Sequence, residues 1–379
     1  MNKFIIIAII LLSGCKEKFV SPAPPVDTGY LVVEGVVNSG EGQTIIKLSR
    51  TANLNDEDIK AENGAEVKLE ASNNNTFFLY ETSVGAYTTD NLQLDTSLQY
   101  RLSIKTNNNE QYLSDYVSVK NNPPIDSISW ESEDDGVHIF INTHDPTGKA
   151  LYYQWEYNET WEFHSNMSTN LKYIKDGANK NIGVTYRTSD DPEISVCWKD
   201  QASDIFLLGS SAKLSQDIIH LPVKFIEKAT QRLSVQYSII VTQYAWSKEG
   251  YDFLERMKKN TESVGSIFDA QPSELNGNFH CVSNPALTVI GFFNICAIQK
   301  KRIFIKNSEV PHWGYLAGIC PENEVENNPD SIQTKANGKL PTYPNKIAPP
   351  STIISFNAAD EGCVDCTLRG TNIKPIFWP

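Results

Sequence analysis

The chain has 379 residues, a formal net charge of −13 and an aromatic content of 10%. Its longest unbroken basic run is Lys300-Lys301-Arg302, so nothing offers the clustered cations that displace phosphate counterions, and a nucleic-acid partner is excluded. No apolar stretch approaches the ~18 residues a membrane-crossing helix needs, while the length leaves room for two or three separate cores.

The chain opens on Met1-Asn2-Lys3, a small positive segment, and Phe4 to Leu12 then carries no polar side chain. That run has the proportions of a signal-peptide core and is too short to span a bilayer. Leu11-Leu12-Ser13-Gly14-Cys15 follows and resembles the lipobox of bacterial lipoproteins. There the Cys thiol receives a diacylglycerol and cleavage occurs just before it. On that resemblance residues 1–14 are a lipoprotein signal peptide and Cys15 is the lipidated first residue of the mature chain. Several acyl chains on one residue anchor stably, at about 0.8 kcal/mol per buried CH₂. Residues 15–29 read as a tether, because Pro22, Pro24 and Pro25 favour extended polyproline II structure.

Residues 30–122 show short alternating runs with no helical period. Tyr30 to Val37 and Gln43 to Ser49 flank a Gly-rich turn as an antiparallel pair, and Ala65–Glu70, Thr76–Glu81, Gly85–Thr88, Gln99–Lys105 and Tyr112–Val119 follow. Evenly spaced short strands predict a β-sandwich. Pro123-Pro124 marks its end, since neither proline can donate to a ladder.

Residues 123–379 predict a second β-rich domain. Ile125–Trp130 and Val137–Asn142 flank the acidic turn Glu133-Asp134-Asp135-Gly136, and Asp145-Pro146-Thr147-Gly148 precedes an aromatic run from Tyr152 to Phe163. Alternation assigns about half of those aromatics to a core and leaves the others for an exposed recognition surface. Further strands follow at Asp204–Leu208, Ile218–Val223 and Arg232–Gln243, the last being the longest expected. Ser247 is a good N-cap for one helix, residues 248–261, with Tyr251, Leu254, Met257 and Thr261 on one stripe. Val289 to Ile305 reads as a buried hairpin-like pair turning at Gln299-Lys300-Lys301, and the end of the chain as an irregular stapled coil with Phe377-Trp378 as an aromatic plug. The expected fold class is mainly β: two tandem immunoglobulin-like or fibronectin-like sandwiches, the second with an inserted helix and a disulfide-stapled tail over 320–379.

Of seven cysteines, assigning Cys15 to the lipid leaves Cys197, Cys281, Cys296, Cys320, Cys363 and Cys366, all in the second half of the chain. An even count in an oxidising compartment reads as disulfides, with the connectivity open. Cys363-Val364-Asp365-Cys366 also has the spacing of a zinc knuckle or a redox pair, but zinc would need a second ligand pair and a thioredoxin-type site a strand-to-helix setting.

Three stretches stand out together: Gly265–Pro272 with Gly277–Cys281, Val289–Ile298 running into Lys301–Ile305, and Cys363–Trp378. With the lipobox-like start and the opening Leu31-Val32-Val33-Glu34-Gly35, they resemble the domain-of-unknown-function family 4249 over essentially the whole mature chain. That resemblance implies a Bacteroidetes lipoprotein of the outer membrane, at the cell surface rather than the periplasmic face, acting as a non-enzymatic accessory or ligand-binding subunit of a TonB-dependent barrel of the starch-utilisation type. It carries over no catalytic residue. Cys296 departs from the small polar residue of the family pattern, which leaves its pairing open.

The residues themselves point to no cofactor or metal. The six histidines form no helical metal pair, and Gly209-Ser210-Ser211 reads as a turn rather than a nucleophile elbow. His144-Asp145 sits at a turn where hydrogen bonding is the ordinary role, and the acidic Asn53–Asp58 stretch lacks the frame of a calcium loop. The alternative from another class is a cell-surface hydrolase or glycan-processing enzyme on a β-sandwich scaffold, but 46 acidic residues guarantee accidental carboxylate pairs without identifying any.

Overall fold

The computed structural model describes residues 29–52, 60–262, 275 and 277–379. The lipobox with Cys15, the tether up to residue 28, the Asn53–Asp58 stretch and Gly265–Pro272 lie outside the described residues. The fold is mainly β, as expected, and gathers around three hydrophobic cores. No helix among the described residues is long and apolar enough to cross a membrane.

The first core is built as alternation dictates. Leu31–Glu34 pairs antiparallel with Thr44–Arg50, and Gln99–Lys105 buries Tyr100, Leu102 and Ile104 while its other residues face outward. Thr76–Ser83 is long enough to serve both layers: its first half pairs with Glu66–Ala71 and its second with Ala86–Thr89. The layers thereby join into one sheet of eleven strands. Two of those strands arrive from far along the chain. Phe279–Cys281 pairs with Gln111–Ser114 at one edge, and Val289–Ile290 runs parallel to Leu31–Glu34 at the other. Residues 30–122 therefore do not complete this core. Unpaired edge strands expose a row of donors and acceptors, and a returning segment covers both edges.

The second core is a sandwich. Ile125–Ser132, Gly136–His144 and Ile218–Glu227 form one sheet; Val196–Ala202, Tyr152–His164, Gln236–Ala245 and Gln299–Lys306 form the other, with Leu207–Ser210 added beside Tyr152–His164. The longest strand is Tyr152–His164, not Arg232–Gln243, because a 3-10 turn at Gln231–Leu233 delays the start of the latter to Gln236. Gln299-Lys300-Lys301 is strand rather than turn, since this segment pairs with Gln236–Ala245 instead of folding back on Val289. The aromatic run is not a recognition surface. Tyr153, Trp155, Tyr157, Trp161 and Phe163 are all buried against Val137, Ile139, Ile141 and Ile226, and half-buried Tyr152 packs on Tyr251 with ring centroids 5.2 Å apart.

The helix runs Lys248–Glu262, with Gly250 N–H donating to Ser247 Oγ at 3.1 Å as the cap requires. Its buried face is Tyr251, Phe253 and Leu254, with Met257 packed against the core and Thr261 exposed. Two shorter helices, Pro329–Lys335 and Glu361–Val364, occur farther on.

The 320–379 tail is disulfide-stapled, as expected, and much of it is regular structure. Glu322–Glu326, Thr352–Asp360 and Lys339–Ala348 form a sheet that packs with Pro329–Lys335 and the Leu171–Lys175/Asn181–Tyr186 hairpin around Phe356, Val325, Ile332 and Leu171. A hairpin from the middle of the chain completes this third core, so the pattern of 320–379 alone does not reveal it.

Polar side chains lock the first two cores together. Trp155 Nε1 donates to Gln243 Oε1 at 2.9 Å, and Gln243 Nε2 donates to Asn122 Oδ1 and to the Pro123 carbonyl at 3.1 and 2.8 Å. Asn122 Nδ2 donates to the carbonyls of Gln243 and Ala297, and Asn294 Nδ2 to that of Ala245. Asn122, Gln243 and Asn294 are buried. A buried network whose members find partners specifies one arrangement, so the Pro123-Pro124 junction is a fixed seam.

Candidate functional site

Tyr152–His164 sends its odd-numbered residues into the sandwich, and five of them are aromatic. The sixth is Glu159, fully buried. A carboxylate at such a position needs partners, since an uncompensated buried charge costs several kcal/mol. Each neighbouring element supplies one. Lys224, from Ile218–Glu227, places Nζ 3.0 Å from Oε1; Arg232, from the 3-10 turn, places Nε 3.3 Å from the same oxygen; Tyr237, from the adjacent strand, donates its hydroxyl to Oε2 at 2.9 Å. The cations also stack, Lys224 over Tyr157 at 5.3 Å and Arg232 over Trp161 at 4.8 Å, and Arg232 Nη2 donates to Gln201 Oε1 at 2.7 Å. Burial, then the Glu159 charge and hydrogen bond, push the Tyr237 hydroxyl well above its ordinary value, so it stays a donor. Two cations and a phenol around one carboxylate hold the two sheets in register. The signal in the sequence was a single Glu of inward parity in a run of aromatics.

The cysteines divide. Cys197 pairs with Cys366 and Cys320 with Cys363. The two cysteines of the C-terminal motif therefore each reach a different segment, which fits structural cross-links and leaves no paired ligand set for zinc. Cys281 and Cys296, expected among the disulfides, are free and buried. Cys281 sits in the edge strand of the first core, and Cys296 pairs through its backbone with Val37–Asn38. Burial pushes the Cys296 thiol up to about 12, which makes it unreactive as a nucleophile.

Beyond the disulfides the chain's end lies on the outer face of the five-stranded sheet. Trp198 and Thr371 exchange backbone hydrogen bonds at 2.8 and 2.9 Å. Trp378 is buried, its Nε1 donating to Glu162 Oε2 at 3.1 Å and its ring meeting Phe304 and Trp198 edge-on with centroids 5.5 and 6.4 Å apart. Phe377 remains partly exposed under the Arg302 guanidinium, 3.6 Å from its ring centre. The expected plug is present, with Trp378 as its seated member.

The acidic turn brings Glu133, Asp135 and His138 within 4.8 Å of one another at the surface, with His138 Nε2 3.0 Å from Asp135 Oδ1. Histidine and carboxylates satisfying one another in this way are ordinary surface hydrogen bonding. His144 and Asp145 act separately. His144 Nδ1 lies 2.7 Å from Asp126 Oδ2, whereas the Asp145 carboxylate accepts from the backbone N–H groups of Thr147, Lys149 and Ala150 at 2.8–2.9 Å. Burial alone would raise the Asp145 carboxyl, but those hydrogen bonds outweigh it and hold the group at about 2.

The profile of the family described as "Domain of unknown function (DUF4249)" matches residues 16–302. It spans the first core, most of the second and, of the third, only the Leu171–Tyr186 hairpin, and stops before the C-terminal sheet and tail. No curated protein matches the chain.

Proposed function

The chain belongs to the DUF4249 family, and from that premise we propose that it is a Bacteroidetes lipoprotein of the outer membrane, a non-enzymatic accessory or ligand-binding subunit of a TonB-dependent barrel. The observation that carries the reading is Leu11-Leu12-Ser13-Gly14-Cys15 after a short apolar run, followed by a proline-rich tether. A lipid on Cys15 and a tether of that length would present the locked pair of cores to a membrane partner as one body, at the cell surface. The acidic balance agrees, since it keeps such a body off anionic head groups.

The experiment is metabolic labelling with a fatty acid, followed by detergent solubilisation and affinity capture. The expected result is label on the wild-type chain, none on Cys15→Ala, and recovery of an outer-membrane barrel with the wild type. Absence of label overturns the anchor. A labelled chain recovered without any barrel overturns the accessory role.

A further inference from the structure

The outer face of the five-stranded sheet is mismatched to what covers it. Across three neighbouring strands, Trp198, Glu162 and Gln236 form one row, and Asp200, Thr160 and Ser238 the next. This is a polar floor, and it is covered: Thr160 is 2% exposed and Ser238 0%. The roof is the apolar end of the chain, and Trp378 makes one hydrogen bond with the floor, to Glu162. Trp198 Nε1 and Gln236 Nε2 are buried without a hydrogen-bond partner among the described residues. The Trp198 side chain is 8% exposed, and its ring meets the Trp378 ring edge-on. Donors buried in this way call for acceptor oxygens, which the tail does not deliver.

The roof is also lightly held. Both disulfides fall before Thr371, so they secure the base of the tail and leave residues 372–379 to non-covalent contacts. Those contacts are Asn372 Nδ2 to the Glu193 carbonyl, the Trp378 seat and the Phe377–Arg302 stack. Ile373 and Ile376 are 74% and 105% exposed, so they contribute almost no burial to hold the segment down.

We propose that this face is a binding groove for a peptide turn bearing adjacent aromatic side chains, which the chain's own Phe377-Trp378, in the turn closed by Trp378 N–H to the Pro375 carbonyl, fills in cis. The tail shows how such a partner is recognised. One aromatic ring enters between Trp198 and Phe304 with a donor aimed at Glu162, and its neighbour lies under Arg302. The inference deepens the binding-subunit reading by naming a partner class, yet it rests on this face alone, and its test involves neither lipid nor barrel. A tethered cis ligand acts at an effective concentration in the millimolar range, so the groove opens only to a partner that outcompetes it.

The test uses a fluorescent synthetic peptide of the chain's last eight residues, Asn372 to Pro379, titrated against detergent-purified full-length protein. Trp378→Ala, with both disulfides verified by thiol titration, should bind it about tenfold or more tighter than the wild type does. Adding Glu162→Gln should weaken that binding, and a peptide with both aromatics replaced by alanine should fail to compete. If Trp378→Ala does not fold, a chain ending at Thr371, which keeps every cysteine, replaces it. A folded variant that does not bind, equal binding by variant and wild type, or equal competition by the alanine peptide overturns the proposal.

Discussion

The first and second cores solve the same two problems in opposite ways. Each surrounds one charge with opposites. In the first core a cation stands between carboxylates: Arg50 lies 2.5 Å from Glu62 and 3.1 Å from Glu110, with Tyr112 donating to Glu110 at 2.6 Å. In the second, Glu159 stands between two cations. The depth differs. Arg50, Glu62 and Glu110 keep side-chain exposures of 16%, 14% and 24%, whereas Glu159 keeps 0%. Each core is also finished by a remote segment. Phe279–Cys281 and Val289–Ile290 close the first through backbone hydrogen bonds, while a covalent link from Cys197 to Cys366 ties the second to the chain's end. The same chemistry thus carries a different stake according to how far water is excluded and whether closure is covalent.

All seven tryptophans lie at or beyond Trp130, so tryptophan fluorescence reports the second core and the tail, while amide exchange in Gln99–Lys105 reports the first. The largest expected effect comes from covalent closure. Replacing Cys197 and Cys366 by alanine should cost about 5 kcal/mol in a denaturant titration, and replacing Cys320 and Cys363 about 4 kcal/mol, following loop length in the chain-entropy account. The closed loops span separations of 169 and 43 residues. Equal loss of amide protection in the first core would break the contrast.

Next is Glu159→Ala, which strands Lys224 and Arg232 and should cost about 4 kcal/mol by the same titration. Arg50→Ala leaves two carboxylates facing each other near solvent and should cost about 2 kcal/mol, read from amide exchange. Should the two substitutions prove equal, depth of burial is not what separates the clusters. The smallest effect concerns acid. A carboxyl held at about 2, below its ordinary 3.8, contributes stability that is complete above 3.8 and is lost as pH falls through 2. Asp145→Asn should therefore cost roughly 1–2 kcal/mol at neutral pH, and its gap from the wild type should close between those two values. A gap that stays constant down to pH 2 would deny Asp145 that role.

What the sequence makes legible follows local periodicity. Gln99–Lys105 is legible to the residue because seven positions alternate without interruption, and Ser247 ahead of an amphipathic stripe marks the helix start. Strands of two or three residues, such as Val289–Ile290, carry no period, and nothing in them names a partner more than two hundred residues away. Of the charge cluster, only the parity of Glu159 was visible. Its partners come from the facing sheet, a 3-10 turn and the adjacent strand, so no spacing rule connects them.

By itself the sequence determined a mainly β chain with a lipobox-like start, no apolar run of membrane-crossing length, a helix capped at Ser247, and tryptophans and remaining cysteines gathered toward the second half. These follow from composition and from periods of a few residues, which the backbone imposes locally. Tertiary structure alone decided which cysteines pair, that residues 279–296 complete the first core and 171–186 the third, that the aromatic run is interior, and that Trp378 seats on a polar floor. Each of those depends on segments meeting across long stretches of chain, where the geometry of closure rather than any local preference selects the partner.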